Sequence, residues 1–596
     1  MTDNGQPQDG QPDAMSKLDQ LRSLAPYLAR YKKRFLIGGL FVLMTNAVGL
    51  MQPLLIRAAV DSLANNVQFN TLVMYALGIL GVAALEGVFL FLMRQTLIVT
   101  SRYIEYDLRN DFFAHLQKMS LRFFLKYSTG ELMARATNDL NAVRSLVGPG
   151  IMYSINTSIL FIGTLIVMLS LNPHLTAFAL IPLPIMVLMV ASLMKRIHDT
   201  FKSAQEEYGR MTTHAQENIS GIRVVKAYVQ EEMEKRRFEQ FNLRYIAHNL
   251  RLAKIRGSLW SAMGFLTGVG SMIVLWIGGT LVTQDNLSLG ELTAFFTLMA
   301  RLTWPMIALG WVINLTQQGI ASMGRLNEIL HTPPDIADGP ETDYTIRRIE
   351  GEIEFRNVSF AYNGRPILKN ISFTIPRGQT FAIVGHVGSG KSTLLNMIPR
   401  LLEPTEGEIL IDGRPIRQIP LQVLRRHIGY VPQETFLFSD TLRENILFGV
   451  DGAATEELEE AAQISHLYKE IQRFPDKFDT LLGERGINLS GGQKQRAAIS
   501  RAIVRKPAIL LLDDALSSVD TYTEEAILKR LREVMKSRTS VIVSHRISTI
   551  RDADWILVLE NGQIIESGTH DSLLARDGVY ADLYRKQILE EELEEL

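Results

Sequence analysis

Gly385-His386-Val387-Gly388-Ser389-Gly390-Lys391-Ser392-Thr393 fits the pattern G-x-x-x-x-G-K-[ST], and the apolar run Thr380-Phe381-Ala382-Ile383-Val384 precedes it. That run predicts a buried strand, and Leu394-Leu395-Asn396-Met397 beyond the loop can open a helix. In a strand–loop–helix setting, Gly385, Gly388 and Gly390 let backbone N–H groups turn inward on phosphate oxygens. Lys391 supplies positive charge to the β- and γ-phosphates of a nucleotide, and Ser392 offers a hydroxyl to Mg²⁺. The helix N-terminus adds a favourable dipole. A phosphate-binding α/β domain is therefore expected around residue 385.

At 596 residues the chain exceeds what one hydrophobic core supports, so two or more domains are expected. A formal net charge of −1 gives no sign of a nucleic-acid partner. The absence of cysteine excludes disulfides, thiolate metal sites and cysteine nucleophiles. The hydrophobic content of 47% averages two unlike halves. Apolar runs crowd into roughly the first 315 residues, and charged strand-and-turn sequence follows after about 340.

Residues 1–14 are rich in Gln, Gly, Pro, Asp and Asn and predict a disordered tail rather than a signal peptide. Between Ser16 and Tyr31, Leu18, Leu21, Leu24, Ala25 and Leu28 recur at helical spacing and predict an amphipathic helix on a membrane face. Six stretches then match a hydrocarbon core, at approximately 35–56, 71–93, 147–170, 174–194, 258–281 and 291–314. Glu86 and Arg301 fall inside two of them, each costing ~3 kcal/mol at mid-membrane. They are expected to face the bundle interior or a wet cavity, as a contact between helices or as a ligand contact. The connections near 57–70, 171–173 and 282–290 hold Arg57 as their sole Lys or Arg, whereas the alternate connections are basic. The positive-inside rule therefore places both termini in the cytoplasm.

Two cytoplasmic connections, 94–146 and 195–257, keep helical patterning without breakers, so the spans are expected to continue well beyond the bilayer. Their polar centres, Tyr127–Met133 and Glu217–Ile222, are candidates for short helices that dock on a partner domain, or plain hairpin turns. The last span runs into Gln317–Leu330 and stops at His331-Thr332-Pro333-Pro334-Asp335. From Ile353 short strands, turns and helices predict α/β structure.

Ile509-Leu510-Leu511-Leu512-Asp513 is an apolar strand ending in the carboxylate expected beside Mg²⁺. Ser490, Gly491, Gly492 and Gln493, within Leu489-Ser490-Gly491-Gly492-Gln493, put a hydroxyl and glycine amides at a helix opening, an anion site aimed at phosphate. Followed by Lys494-Gln495-Arg496, this stretch resembles the signature of the ATP-binding cassette (ABC) family. In that family it faces the ATP held by a second cassette, so a pair is implied. The resemblance extends to four more residues in the family's order. Tyr362 resembles the aromatic that stacks on adenine, and Gln433 in Tyr430-Val431-Pro432-Gln433 the glutamine that senses Mg²⁺. Asp520 in Ser517-Ser518-Val519-Asp520 is similar to the loop that contacts the other cassette, and His545 to the switch histidine at the γ-phosphate.

The implied fold is a membrane α-helical bundle, six transmembrane helices with long cytoplasmic extensions, fused to an α/β P-loop NTPase of the ABC-cassette type. Residues 15–330 form the transmembrane domain in this scheme, 331–349 a linker and 350–596 the cassette. Membrane-then-cassette fusion resembles an exporter half-transporter in the cell membrane with a cytoplasmic cassette, ATP and Mg²⁺ as ligands, and an amphipathic drug or lipid as cargo. One departure stands out. The family usually has glutamate after the strand-end aspartate, where this chain has Asp514, one C–C bond shorter by roughly 1.5 Å. A base must come within about 2.6–3.2 Å of its proton, so activation of water should suffer. With Asp514, His545 and Gln433 as the catalytic set, the chain resembles the subunit with a degenerate Walker B in a heterodimeric bacterial multidrug exporter. The alternatives are a homodimeric lipid flippase and an ATP-gated regulatory protein.

Overall fold

The computed structural model describes residues 17–594 except 65–67, 363 and 451. The expected tail at 1–14 lies outside the described residues. The described chain divides into two compact units, one of residues up to Leu116 with Thr129–Thr332, the other of Gln117–Ser128 with Pro333 onwards.

Six long helical segments make the first unit: Lys32–Ala64, Phe69–Leu116, Thr129–Leu171, Pro173–Ser220, Glu231–Thr283 and Leu289–Leu330. They carry the six expected spans, numbered one to six below. A helix of 53 residues such as Glu231–Thr283 is about 80 Å long, against a hydrocarbon core of ~30 Å, so it projects far beyond a bilayer. Apolar side chains that face lipid need no protein cover. Accordingly only 6% of the most apolar window of Phe69–Leu116 is buried. The N-terminal helix is broken where continuity was expected, into Lys17–Arg22 and Ala25–Arg30, because Pro26 favours a fresh helix start. The second piece is tied to span two by polar contacts: Tyr27 donates to Asp111 at 2.8 Å, and Arg30 and Tyr31 to Asp107 at 2.6 and 3.1 Å.

The ends of spans one and six are held by a dense polar knot. Ser288 and Glu291 form a reciprocal capping box that starts span six. Asp61 accepts from the Ser288 hydroxyl at 2.9 Å and the Gly290 amide at 2.7 Å, and Arg57 pairs with Glu291 at 2.8 Å. Along span three, buried Arg135 bonds Glu131, Glu328 and the Arg325 carbonyl, while Asp139 takes both arms of Arg325. Short helices sit at Leu121–Lys126, just before the Tyr127–Met133 stretch, at Thr129–Ala134, which starts within it and leads into span three, and at Ile222–Ala227, which starts at the last residue of the Glu217–Ile222 stretch.

In the second unit, strands β1 (Ile353–Tyr362), β2 (Arg365–Ile375), β4 (Glu406–Ile411) and β5 (Arg414–Pro415) form an antiparallel sheet of order β2-β1-β4-β5. A six-stranded sheet of order β10-β9-β3-β8-β7-β6 comprises β3 (Thr380–Val384), β6 (Ile428–Val431), β7 (Ile509–Asp513), β8 (Thr539–Val543), β9 (Trp555–Glu560) and β10 (Gln563–Gly568). Strands β9, β3, β8, β7 and β6 run parallel. Their continuous apolar sequences follow from burial on both faces. Ala382 and Val384 pack with Leu510, Leu512 and Ile542 on one side, and Phe381 and Ile383 with Leu511, Val541 and Val543 on the other.

Gly290 is the tightest point of the polar knot: a Cβ there would lie 2.2 Å from the Arg57 carbonyl oxygen and 2.6 Å from Asp61. Gly279 has no neighbour within 4 Å of such an atom. Gly290→Ala is expected to destabilise by about 1–3 kcal/mol. Gly279→Ala should instead be neutral or stabilising by up to ~1 kcal/mol, through helix propensity alone. Thermal unfolding of the two variants side by side in the same detergent checks the opposite signs.

Candidate functional site

Most of the elements that reach the phosphate loop leave the carboxyl ends of the parallel strands, as expected for an open α/β sheet, and Tyr362 comes from the antiparallel sheet. Strand β3 delivers Gly385, β7 ends at Asp513, β8 leads to Ser544 and His545, and β6 to Gln433. The loop between β3 and the helix Lys391–Met397 needs its glycines for different reasons. At Gly385, with φ +150°, a Cβ would fall 2.0 Å from the Leu559 carbonyl oxygen. Gly390, with φ +103°, is the left-handed residue that starts the helix.

A cavity of about 250 Å³ is lined by Tyr362, Gly388, Lys391, Gln433, Asp514 and His545, with Gly390, Ser392, Thr393 and Asp513 also in its wall. The structure thus gathers on one cleft residues that are up to 183 positions apart, from Tyr362 to His545. Tyr362 ends β1 and shares a hydrogen bond with Thr393. Lys391 is buried, its ammonium donating to the carbonyls of Gly385 at 2.8 Å and His386 at 2.9 Å. Burial pushes its pKa down, opposed by Asp513 and Asp514. Asp513 is also buried. Loss of hydration pushes its pKa up and the Asp514 charge adds to that, while a hydrogen bond from Ser392, Lys391 and His545 pull it down.

Two buried polar atoms in this region have no protein partner, Ser389 Oγ and Asp513 Oδ1. Such atoms are costly unless something else meets them. A hydroxyl under the loop suits a phosphate oxygen, and an unmet carboxylate oxygen beside Ser392 suits a divalent cation. The residues present therefore fit a Mg²⁺–nucleotide.

Ser490, Gly491, Gly492 and Gln493 stand apart from that cleft, with Ser490 and Gly491 exposed. Ser490 caps the helix Gly491–Val504 reciprocally with Gln493, whose amide also donates to Glu470 at 2.7 Å. Asp520, exposed, caps the helix Thr521–Met535 through Thr523 N at 2.9 Å. Gln495 joins the two motifs, which sequence inspection missed: it accepts from Ser518 N and donates to Ser517 Oγ, both at 2.9 Å. A Cβ on Gly492 would meet the Ser518 carbonyl oxygen at 2.9 Å, so the signature packs closely on the 517–520 loop.

The loop carrying His545 also has unforeseen braces. Arg546 pairs with buried Glu524, and the Ile547 amide donates to Gln587 of the C-terminal helix Val579–Glu594 at 2.8 Å. Nothing in the local sequence marks a glutamine 40 positions downstream as a partner.

Two family models match the chain, the ABC transporter transmembrane region over residues 35–306 and the ABC transporter model over residues 368–517. It is 38% identical over 574 residues to the probable multidrug resistance ABC transporter ATP-binding/permease protein YheI of Bacillus subtilis (strain 168), covering 96% of this chain and 98% of that one. It is 36% identical over 579 residues to the ATP-dependent lipid A-core flippase of Syntrophus aciditrophicus (strain SB), covering 97% and 96%. Among solved structures, a bacterial Atm1-family ABC exporter with ATP bound superposes with a TM-score of 0.78 at 30% identity, covering 94% of this chain and 99% of that one.

Because burial holds the Asp513 pKa above its ordinary value, the ionised form costs stability at neutral pH. Asp513→Asn should therefore stabilise the nucleotide-free chain near pH 8 by about 1–3 kcal/mol, the scale of one unmatched buried polar group. The gap should close as acidification protonates Asp513 in the wild type, from the raised pKa down through about 4. Thermal melts at pH 8 and pH 5 compare the two.

Proposed function

The chain belongs to the ABC transporter family, and we propose that it exports an amphipathic drug or lipid as one half of a heterodimer whose own phosphate loop holds ATP more than it burns it. It is a multi-pass membrane protein whose cassette binds ATP and couples ATP hydrolysis to transport. The proposal adds the division of labour, a cell-membrane location and a cytoplasmic cassette, the last two supported by the basic connections on one side of the spans.

The position of Asp514 carries the reading. Its backbone sits at φ +49°, its amide donates to the Val543 carbonyl at 2.8 Å, and its carbonyl accepts from Ser517 N at 3.3 Å. Asp513 and Val543 are paired in the β7–β8 ladder immediately before it. The main chain is therefore anchored on both sides and on the neighbouring strand. An advance of roughly 1.5 Å, which would restore the missing length, breaks those bonds, each worth about 1 kcal/mol net and more if left unmet. Water activation then depends on side-chain length, and aspartate is short.

In this reading the nucleotide site of this chain comprises Tyr362, the 385–393 loop, Gln433, Asp513 and His545. Ser392, Gln433 and Asp513 would hold Mg²⁺, which supplies neutralising charge at the phosphates when bound. Lys391 holds phosphate charge, and His545 approaches from the β8 side. The set Ser490–Gln493, exposed at Ser490 and Gly491, with Asp520 in the loop that Gln495 ties to it, is presented to ATP on the second cassette. The partner would supply the glutamate for that site.

Purified alone, the chain should bind ATP yet turn it over slowly. Asp514→Glu should raise turnover at least about tenfold, since a well-placed general base contributes roughly 10²–10⁴. Fast hydrolysis by the lone wild-type chain, unchanged by Asp514→Glu, would show that it works as a homodimer with two active sites. Steady-state ATPase in lipid nanodiscs decides between them.

A further inference from the structure

The His545 ring stands between two spaces and is tied to neither. It is exposed, and among the described residues no hydrogen bond fixes it. It lines the nucleotide cleft, where Ser392 and Asp513 lie. It also lines a second cavity of about 480 Å³ on the side of the C-terminal helix, walled by Gly385, His386, Glu524, Arg546, Tyr580 and Gln587. The imidazole thus has room on both sides, and the phosphates of a nucleotide are on one. With no bond on the ring, the main chain decides which way it points.

Upstream, Val543 is laddered to Ile383 on one side and Asp513 on the other. Downstream the short helix Ile547–Ile550 begins, and the first amides of a helix have no partners inside it. Arg546 occupies the cap position without capping, because its side chain is spent on Glu524 and on the Val519 carbonyl at 3.3 Å. The missing acceptor comes from elsewhere in the cassette. Gln587 Oε1 accepts from the Ile547 amide at 2.8 Å. Arg546 is tethered through a long flexible side chain that lets its backbone shift. Gln587 grips the main chain itself, two residues from His545.

The helix that carries Gln587 is firmly seated. Glu566 of β10 accepts from the Val579 amide at 2.7 Å and the Tyr580 amide at 3.1 Å, a carboxylate at the positive end of the helix. Tyr580 is fully buried, and its hydroxyl meets His570 Nδ1 at 2.7 Å. From Val579 a rise of about 1.5 Å per residue takes the helix roughly 12 Å to Gln587. A fixed helix start therefore sets where the Ile547 amide is held.

We propose that Gln587 is a positioning residue for ATP: by accepting from the Ile547 amide it holds His545 on the phosphate side rather than in the second cavity. The C-terminal helix becomes part of the nucleotide site without touching the nucleotide. This rests on the reading of His545 as the residue at the γ-phosphate, and it holds whether the partner is a different chain or a second copy. A bond that merely fastened the C-terminal helix would matter equally for every nucleotide. One that acts through His545 matters only where there is a γ-phosphate.

The test titrates the full chain in lipid nanodiscs with Mg²⁺–ATPγS and with Mg²⁺–ADP. Gln587→Met, similar in length but without the acceptor, should weaken ATPγS about fivefold, the scale of one hydrogen bond, and leave ADP within about twofold. His545→Ala should weaken ATPγS at least about tenfold, with the same indifference to ADP. The double variant should be no weaker than His545→Ala alone, as expected when one residue acts through the other. Gln587→Glu keeps an oxygen for the amide and should bind ATPγS within about twofold of the wild type. Equal weakening of both nucleotides by Gln587→Met overturns the proposal, as do unaltered ATPγS affinity, additivity with His545→Ala and failure of Gln587→Glu to retain affinity. An ATPγS-to-ADP ratio untouched by His545→Ala overturns it together with the placement of His545 at the γ-phosphate. ADP affinity reports the fold of each variant. Fast turnover by the lone chain counts against the holding reading, while these ratios still decide the brace.

Discussion

The in-register parallel ladder β3–β8–β7 is the constraint on which the cassette depends. It sets Gly385, His545 and Asp513 at the same edge of one sheet, within reach of a single bound molecule. Side chains on both faces lock it, with separate hydrophobic cores above and below. Slippage by one residue would exchange the two faces and turn every buried contact inside out. That rigidity gives the substitution of one carboxylate its meaning. In a loose loop a shorter acid could be accommodated, whereas the main chain of Asp514 is held by the end of a strand bonded to its neighbour, which is what the proposed division of labour rests on.

The same chain handles polar groups in two different ways. In the cassette, two unmet atoms, Asp513 Oδ1 and Ser389 Oγ, lie where phosphate and metal are expected. In the membrane unit, strong polar groups are mostly consumed by one another, as with Asp61 at the start of span six and Arg135 between Glu131 and Glu328. The Glu86–Arg301 pair differs from those knots in being loosely joined and partly exposed. In the cassette the imperfectly satisfied groups mark the place where a ligand can contribute what the protein omits.

Much of the site was legible because phosphate chemistry restricts the sequence locally. The glycines, Lys391 and Ser392 are adjacent in the chain, and a capping serine before two glycines is visible as a helix start. The positions of the short helices were less legible. Leu121–Lys126 and Ile222–Ala227 are six residues each, too short for a periodic signal, and the turns beside them carried the more obvious polar composition. The bracing of the His545 loop at Ile547 by Gln587 and the coupling of the signature helix to the 517–520 loop by Gln495 were not legible, since an isolated glutamine has no pattern.

Resemblance to the family singled out Asp514 as a shortened acid, whereas hydropathy and spacing alone determined the six spans, the α/β domain and the phosphate loop. These follow from properties that each segment carries by itself: the thickness of a bilayer, the period of a strand and the geometry of a loop around phosphate. Tertiary structure decided which distant groups meet. It brought Tyr362 to Thr393, set Gln52 and Glu86 on either side of Arg301, and pinned Asp514 between Val543 and Ser517. Those outcomes depend on how helices and strands pack against one another, and the strength of a charge or the reach of a carboxylate exists only once its neighbours are in place.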